Sequence, residues 1–470
     1  MRRLKPVVLL LPLAAAACTV GPDYHRPVVA GDTAAWLARA DPAPADAAPW
    51  QALHDPVLND LIDRALTANP DSVEAQARLR EARAQLGVAR AATLPRASLN
   101  GSAQQTQTSL NGQFPAASIP HYVRDFSLYD AGFDASWEVD LWGGQARAVQ
   151  SARAQIAAAQ ARAQGVGLQT VAEVMRAYAQ LRGNQALLAA ARADADAQGR
   201  AAQLIHQRYQ AGEAAAFDDS RARETARTAQ APIAGLDADA RAAAFTLALL
   251  TGRPPEAVTD LIDAPAALPV LPANLAVGAR ADMLRRRPDV RAAEADLAAA
   301  TAMIGVETAN LYPRLTLSGS VDAQARNPGD LVSGNSIGFG VGPRLSWALF
   351  DAGRVHAQIR GANARADQAA ARYTRAVLNA LADSETAINR YAAWQATLAE
   401  RDAALAASRQ SLDLARQRYT AGEDDLVVLL QAQSAFSNAT RGAAQAHQAA
   451  FESYAALVKA LGGGWQVSSP

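Results

Sequence analysis

The heptapeptide Gln207-Arg208-Tyr209-Gln210-Ala211-Gly212-Glu213 returns 210 residues later as Gln417-Arg418-Tyr419-Thr420-Ala421-Gly422-Glu423. One copy is an ordinary helix end, in which glycine supplies the left-handed residue that stops the helix. Two copies require the chain to fold as two related halves. Other pairs follow the same spacing or one of 218. Pro70-Asp71 matches Pro288-Asp289, and Leu94-Pro95-Arg96-Ala97-Ser98-Leu99-Asn100-Gly101-Ser102 matches Tyr312-Pro313-Arg314-Leu315-Thr316-Leu317-Ser318-Gly319-Ser320, both at 218. Ser136-Trp137 matches Ser346-Trp347, and Leu250-Thr251-Gly252 matches Ala460-Leu461-Gly462, both at 210. The change of spacing falls between Ser102 and Ser136 and marks a loop that is shorter in the second copy.

Helices fill most of each half. From Gln145 to Ala211 and from Val355 to Ala421 only scattered glycines interrupt a helical reading, and runs of roughly 65 residues extend about 100 Å. Leu168, Val171, Met175, Tyr178 and Leu181 recur at helical spacing. Alanine is about a quarter of the chain, which suits helices packed closely through small side chains. After each glycine turn a helix returns, over Phe217 to Leu250 and Leu426 to Leu461. Together with the helix that precedes the strands, it matches one long helix in length, so two short helices can run antiparallel beside each long one. Pro232 falls at the repeat position of Gly442, and a bend or joint is expected at both.

After Pro95 and Pro313 the period changes to two. Ala97, Leu99, Gly101 and Ala103 alternate with Ser98, Asn100 and Ser102, and Tyr129, Ala131, Phe133, Ala135, Trp137, Val139 and Leu141 alternate with Asp130, Gly132, Asp134, Ser136, Glu138 and Asp140. In the second copy Leu315, Leu317 and Val321, then Ile337, Phe339, Val341, Leu345, Trp347 and Leu349, alternate with residues that include Asp322 and Arg344. These are strands with one apolar face and one hydrophilic face, long enough to cross a bilayer at a tilt, and Trp137, Trp142 and Trp347 sit near one end as an aromatic girdle would. The alternative is a soluble sandwich with one wet face. Four strands are too few to close a membrane barrel, so strands that span a membrane require several chains to share one barrel. Asp130, Asp134, Glu138, Asp322 and Arg344 would then face its lumen.

Arg2, Arg3 and Lys5 precede the apolar run from Val7 to Ala17, which is too short to span a membrane and reads as a secretory signal. The single cysteine, Cys18, follows Ala15-Ala16-Ala17 and is placed like the acylated residue of a bacterial lipobox, although Ala15 stands where leucine is usual. The alternative is a small residue at an ordinary cleavage site. The expected organisation is a signal peptide over 1–17, a proline-rich extended arm over 18–58, the first repeat over 59–255, a linker over 256–277, the second repeat over 278–464 and a tail over 465–470. Equal counts of 45 basic and 45 acidic residues argue against a nucleic-acid partner. The six histidines have no ligand spacing, and no phosphate loop or nucleophile motif is present, so neither an enzyme nor a metal or other cofactor is expected.

The duplicated pattern, Cys18-Thr19-Val20-Gly21-Pro22-Asp23-Tyr24-His25-Arg26-Pro27, Leu249-Leu250-Thr251-Gly252-Arg253-Pro254, Arg287-Pro288-Asp289-Val290 and the two Arg-Tyr-x-Ala-Gly turns resemble the outer-membrane factor family of TolC-like channels. More narrowly they resemble the NodT-type lipoproteins of resistance-nodulation-division efflux systems, over nearly the whole mature chain. The resemblance implies an internally duplicated α+β membrane protein that forms a homotrimer. Four strands per chain would build a 12-stranded barrel in the outer membrane of a Gram-negative bacterium, continuous with an α-helical tunnel in the periplasm. It also implies a palmitate-type anchor on Cys18 and a passive exit duct for small molecules such as drugs. The partners would be a periplasmic adaptor, or membrane fusion protein, and a proton-driven inner-membrane transporter. Tyr209, Ala211, Gly212, Glu213, Tyr419, Ala421, Gly422 and Glu423 would lie where the adaptor docks. Family channels carry acids six and nine places after the second turn glycine, where this chain has Val428 and Gln431. Gate candidates are therefore Asp218, Asp219, Arg221, Tyr419, Asp424 and Asp425, with Val428 as part of an apolar seal. A structural or adhesive surface lipoprotein with a helical stalk is the alternative, but a stalk needs no lipid-facing strands.

Overall fold

A computed structural model describes residues 19–28, 34–38, 48–111, 118–273 and 276–463. Cys18, the signal run and the tail over 465–470 lie outside these residues. Helix α1 (Pro56–Ala68) starts with proline at its first position and Asp55 as N-cap, whose carboxylate accepts from the Val57 and Leu58 amides. It stops at Asn69 because Pro70 follows, and the Asn69 side chain accepts from the Asp71 and Ser72 amides to open α2 (Pro70–Ala91). Strands β1 (Arg96–Gln107) and β2 (Asp125–Val139) come next, then α3 (Gly144–Gln210), α4 (Ala216–Gln230) and α5 (Pro232–Leu250). Short α6 (Thr259–Asp263) and α7 (Arg280–Arg286) lead to α8 (Pro288–Ala309), β3 (Arg314–Ala325), β4 (Ile337–Ser346), α9 (Arg354–Thr420) and α10 (Leu426–Ala460).

The two long helices, α3 and α9, have 67 residues each. The β1–β2 connection, 108–124, is longer than its second-copy counterpart, 326–336, as the change of spacing requires. Two expectations are corrected, at Gly442 and at the strand ends. The return helix is interrupted at Ala231 in the first copy but runs unbroken through Gly442 in the second. Proline lacks the amide that would continue the ladder, whereas glycine keeps it. The segment expected as a linker carries α6, preceded by a 3-10 turn over Pro255–Val258. Leu141, Trp347 and Leu349 lie beyond the strand ends.

The described residues divide into two compact units, and each draws on both repeats: those up to 27, over 80–158 and over 294–372 form one, and those over 28–79, over 159–293 and from 373 onward the other. The first holds a four-stranded antiparallel sheet in the order β1-β2-β3-β4. Arg96 pairs with Ser136 and Arg314 with Ser346, so the duplication extends to strand register. The Trp137 indole donates to the Thr93 carbonyl, and the repeat-equivalent Trp347 donates to Leu311. Trp142 stacks on Tyr312 with ring centroids 4.6 Å apart and donates to Pro313. The start of the arm is fastened beside these residues. Val20 donates its amide to the Trp142 carbonyl, and buried Arg147 donates to the Val20 and Gly21 carbonyls and to Asp23. Gly21, at φ +90°, passes so close to Gly305 that a Cβ would collide with its backbone.

The second unit has an aromatic core built from α1, α3, α5, α9 and α10. Phe451 is fully buried between Tyr178 and Tyr454, and Tyr391 lies against Tyr454. Each phenol reaches out of this core to hold a non-repeated segment: Tyr178 donates to Asp55, Tyr454 to the Pro49 carbonyl and Tyr391 to the Pro272 carbonyl. Burial pushes the Tyr178 and Tyr391 phenols up to about 12. Arg280 and Glu385 form a nearly buried pair whose carboxylate also accepts from the Leu37 and Ala38 amides, while the Trp36 indole donates to Gly278.

Candidate functional site

In the sheet, pairing decides which side chains share a face, because residues directly opposite each other point the same way. Leu99, Phe133, Val321 and Phe339 form one row across all four strands and are 69%, 63%, 53% and 82% exposed. Trp137 and Leu317 form a second exposed row with Pro343. A contiguous apolar surface of this kind is unfavourable in water, at roughly 1.5–3 kcal/mol for each large side chain left uncovered. It suits lipid.

All five residues expected in the lumen fall on the opposite face. Asp134 stands between Ser98 and Ser320 and accepts from Asn100. Asp322 stands between Gly132 and Gly338, and Asp130 pairs with Ser102 and Gln324. Glu138 and Arg344 flank Thr316 in a single row. Gly132 is required here, since a Cβ would come within 2.7 Å of the Asp322 Cα and the Val321 carbonyl. The structure thus brings Asp130, Asp134 and Asp322 together as near neighbours, with Glu138 and Arg344 toward the helix-proximal end. Such a face is wetted by water and carries charge.

In the helical unit, both turns close in the same way. The Gly212 amide donates to Tyr209 and the Glu213 amide to Arg208; Gly422 donates to Tyr419 and Glu423 to Arg418. With φ of +80° and +74° at the two glycines, these are paired six-to-one and five-to-two bonds that satisfy the last helical carbonyls. Arg208 meets Glu213 at 3.6 Å, and Arg418 meets Glu423 at the same distance. Ala211, Gly212, Glu213, Ala421, Gly422 and Glu423 are exposed, as is Tyr209, while Tyr419 is half-buried. The two turns thus present the same backbone shape.

The gate candidates separate into different roles. Asp219 has a side chain only 2% exposed and accepts from His206 at 3.0 Å and Arg223 at 2.7 Å. Asp424 meets Arg418 at 2.9 Å. Asp425 is the N-cap of α10, accepting from the Val427 and Val428 amides. Asp218 and Arg221 have no side-chain partner among the described residues. They line an open cavity of about 470 Å³ with Arg208, Glu213 and Asp425. With the Tyr419 hydroxyl, which also has no side-chain partner among the described residues, they are the candidates left free to bond elsewhere. Val428 is 42% exposed, and Phe217 and Val427, which share a repeat position, are 70% and 57% exposed. Sequence reading missed His206 and Arg223. The four-residue spacing of Asp219 and Arg223 was a usable signal; the approach of His206 across the turn was not.

The sequence profile described as Outer membrane efflux protein matches residues 61–253 and 280–463, one block in each repeat. The pyoverdine export outer membrane protein OpmQ of Pseudomonas aeruginosa is 31% identical over 417 residues, covering 89% of this chain and 87% of that protein. Nodulation protein T of Rhizobium leguminosarum bv. trifolii is 29% identical over 468 residues, covering 96% of each. Among solved structures, the outer-membrane channel OprN superposes with a TM-score of 0.85 at 36% identity, covering 96% of this chain and 100% of that one. The outer membrane protein VceC of Vibrio cholerae gives 0.79 at 27% identity, covering 90% and 100%. A two-faced sheet, a pair of 67-residue helices and matches in both halves place the chain in the outer membrane efflux protein family, as the outer-membrane channel component of an efflux system.

Proposed function

We propose that three copies of this chain assemble into one passive exit duct. The observation that carries the reading is the open sheet: β1 and β4 have no further strand partner among the described residues, and one face is apolar and uncovered. Unpaired edge amides and carbonyls are too costly to leave in hydrocarbon. Four strands cannot close alone, and three copies give a barrel of twelve whose hydrophilic face encloses water. The turns at Gly212 and Gly422 meet a periplasmic adaptor, and through it a proton-driven inner-membrane transporter that supplies the energy. Small molecules, drugs among them, are the cargo. At rest the helices near the turns are drawn together by polar contacts, with Asp218 and Arg221 reaching to neighbouring copies. Cys18 carries the lipid anchor, a reading supported by the fastening of Val20 and Gly21 beside Trp142.

Mass measurement of the full chain in mild detergent tests the assembly, together with cysteines placed singly on the outward edges of β1 and β4. A trimer with cross-links between copies is expected. A stable monomer with native strand content overturns the shared barrel, and a dimer, whose eight strands also suffice to close, overturns the trimer. Mass spectrometry of the mature N-terminus tests the anchor, and an unmodified Cys18 removes it.

A further inference from the structure

In the helical unit, α3, α9 and α10 enclose an open groove of about 610 Å³, within the usual range of small-molecule sites. Its walls are helical stripes. Asp383, Ala387, Arg390 and Trp394 come from α9, Glu452, Ala456 and Lys459 from α10, and Arg176 from α3. Arg287, at one end, is committed to Asp289, Asp383 and the Ala380 and Ala460 carbonyls. Glu452 accepts from Gln448. Arg176, Arg390 and Lys459 are exposed and have no hydrogen-bond or ion-pair partner among the described residues, and the half-buried Trp394 indole donates to none of them.

Three unpaired cations converging on one groove repel each other and concentrate anions there. The duplication supplies a control. The repeat positions of Arg176, Arg390, Trp394 and Lys459 hold Thr386, Gln180, Asn184 and Leu249, so neither the charge nor the indole is a requirement of the helix packing. The apolar surface of the groove comes from Trp394 and from alanines at 387, 449 and 456, which favours a flat hydrocarbon body over a hydrated inorganic ion. Glu452 offsets part of the charge and leaves the equivalent of two cations for a ligand.

We propose that this groove is a binding site for a flat aromatic anion carrying two acidic groups, held by Arg176, Arg390 and Lys459 with its ring system against Trp394. The site lies within one chain and does not depend on the docking or gating proposed above.

Calorimetric titration of the assembled full-length protein with naphthalene-1,5-disulfonate tests it, with inorganic phosphate as competitor. Saturable binding of one probe per chain is expected, weakening with ionic strength. Arg176→Gln combined with Lys459→Gln should lower affinity at least about tenfold, and Arg390→Gln alone should lower it several-fold, because each removes a charged contact. Trp394→Phe should weaken binding about threefold and abolish the accompanying change in tryptophan fluorescence. The three cations are exposed and Phe keeps most of the half-buried Trp394 packing, so assembly should survive, and the mass and melting temperature of each variant check that it does. Unchanged affinity in the assembled double variant, or binding that never saturates, overturns the site. Displacement by phosphate at concentrations equal to the probe overturns the aromatic part of the assignment.

Discussion

At the two turns the copies match in every backbone hydrogen bond and in the Arg–Glu pair, yet one helical turn farther on they are held differently. The first turn is followed by Asp219 clasped between His206 and Arg223, and α4 has Ala215 at its N-cap position and so no side-chain cap. At the second turn the repeat positions carry Leu429, Arg416 and Gln433; Arg416 donates to Gln433, and Asp425 caps α10 from the position of Ala215. Along the helices the difference is larger. Met175, Leu181 and Arg241 become Glu385, Tyr391 and Phe451 in the second copy. Glu385 and Tyr391 are the residues that hold the arm at Leu37 and Ala38 and the segment at Pro272. Backbone turns that both halves need have stayed alike, and the side chains diverge where a segment without a counterpart must be fastened.

The largest test of that contrast is at one repeat position. Phe451 is fully buried among tyrosines, whereas Arg241 is exposed on α5 and pairs with Asp237 at 2.8 Å. Phe451→Ala should cost about 3–5 kcal/mol and loosen the segments held by Tyr178 and Tyr454. Arg241→Ala should stay within about 0.5 kcal/mol, since an exposed ion pair contributes little. Thermal unfolding of the two variants reads the difference directly. Equal effects would mean that the core is shared evenly by the halves.

Next comes Glu385. Burial works against its charge, but the Leu37 amide, Arg280 and the Ala38 amide outweigh burial and hold the carboxyl below its usual 4.5. A carboxyl lowered on folding stabilises the folded state above its ordinary value and loses that contribution as pH falls through the folded value. The arm at Trp36 should therefore detach only on the acid side of 4.5, seen as a fluorescence change that Trp36→Phe removes. Glu385→Gln should loosen the arm already at neutral pH, by about 1.5–3 kcal/mol, the scale of hydrogen bonds to a charged group. Met175 at the corresponding position has no titrating group, so the first copy should show no acid step there.

A smaller effect is expected at Asp219. Its carboxylate is buried, but His206 and Arg223 are 46% and 62% exposed and can return to water when it is removed. Asp219→Ala should thus destabilise the α3–α4 turn by roughly 1 kcal/mol, toward the low end for losing a charged partner. Hydrogen exchange should quicken over 205–225 and remain unchanged over 415–435. Faster exchange at both turns would show that they open as one unit.

Parity and punctuation made much of this fold legible. Alternation in Tyr129 to Leu141 correctly assigned Asp130, Asp134 and Glu138 to one face, because a strand leaves side chains only two directions. The glycines at 212 and 422 marked both turns, since left-handed backbone narrows the choice of residue. Repeat logic failed where the copies differ chemically: a joint was expected at Gly442 as at Pro232, although only proline removes an amide. Asp425 was grouped with the gate candidates on proximity, while its place directly before Leu426-Val427-Val428 was an N-cap signal. His206 was illegible for a different reason. It reaches Asp219 only after the turn has folded back, and no local spacing encodes that approach.

The subtlest difference between the turns is the cap. Ala215 already has the extended backbone of an N-cap, with φ −77° and ψ 151°, close to the −84° and 168° of Asp425, but it has no side-chain acceptor. Asp425 accepts from the Val427 and Val428 amides; the corresponding donors after Ala215 belong to Phe217 and Asp218, and the Asp218 amide reaches only the Ala215 carbonyl, at 3.0 Å. Aspartate at 215 would add a third carboxylate to Asp218 and Asp219 in the same helical turn, setting like-charge repulsion against the gain from the helix dipole. Serine supplies an acceptor without charge. Ala215→Ser should therefore stabilise the start of α4 by about 0.5–1 kcal/mol, whereas Asp425→Ala should cost α10 about 1 kcal/mol. Slower exchange of the Phe217 amide in the first variant and faster exchange of the Val427 amide in the second would make the two helix starts converge. No change at Phe217 would mean that water already satisfies that amide as well as a hydroxyl can.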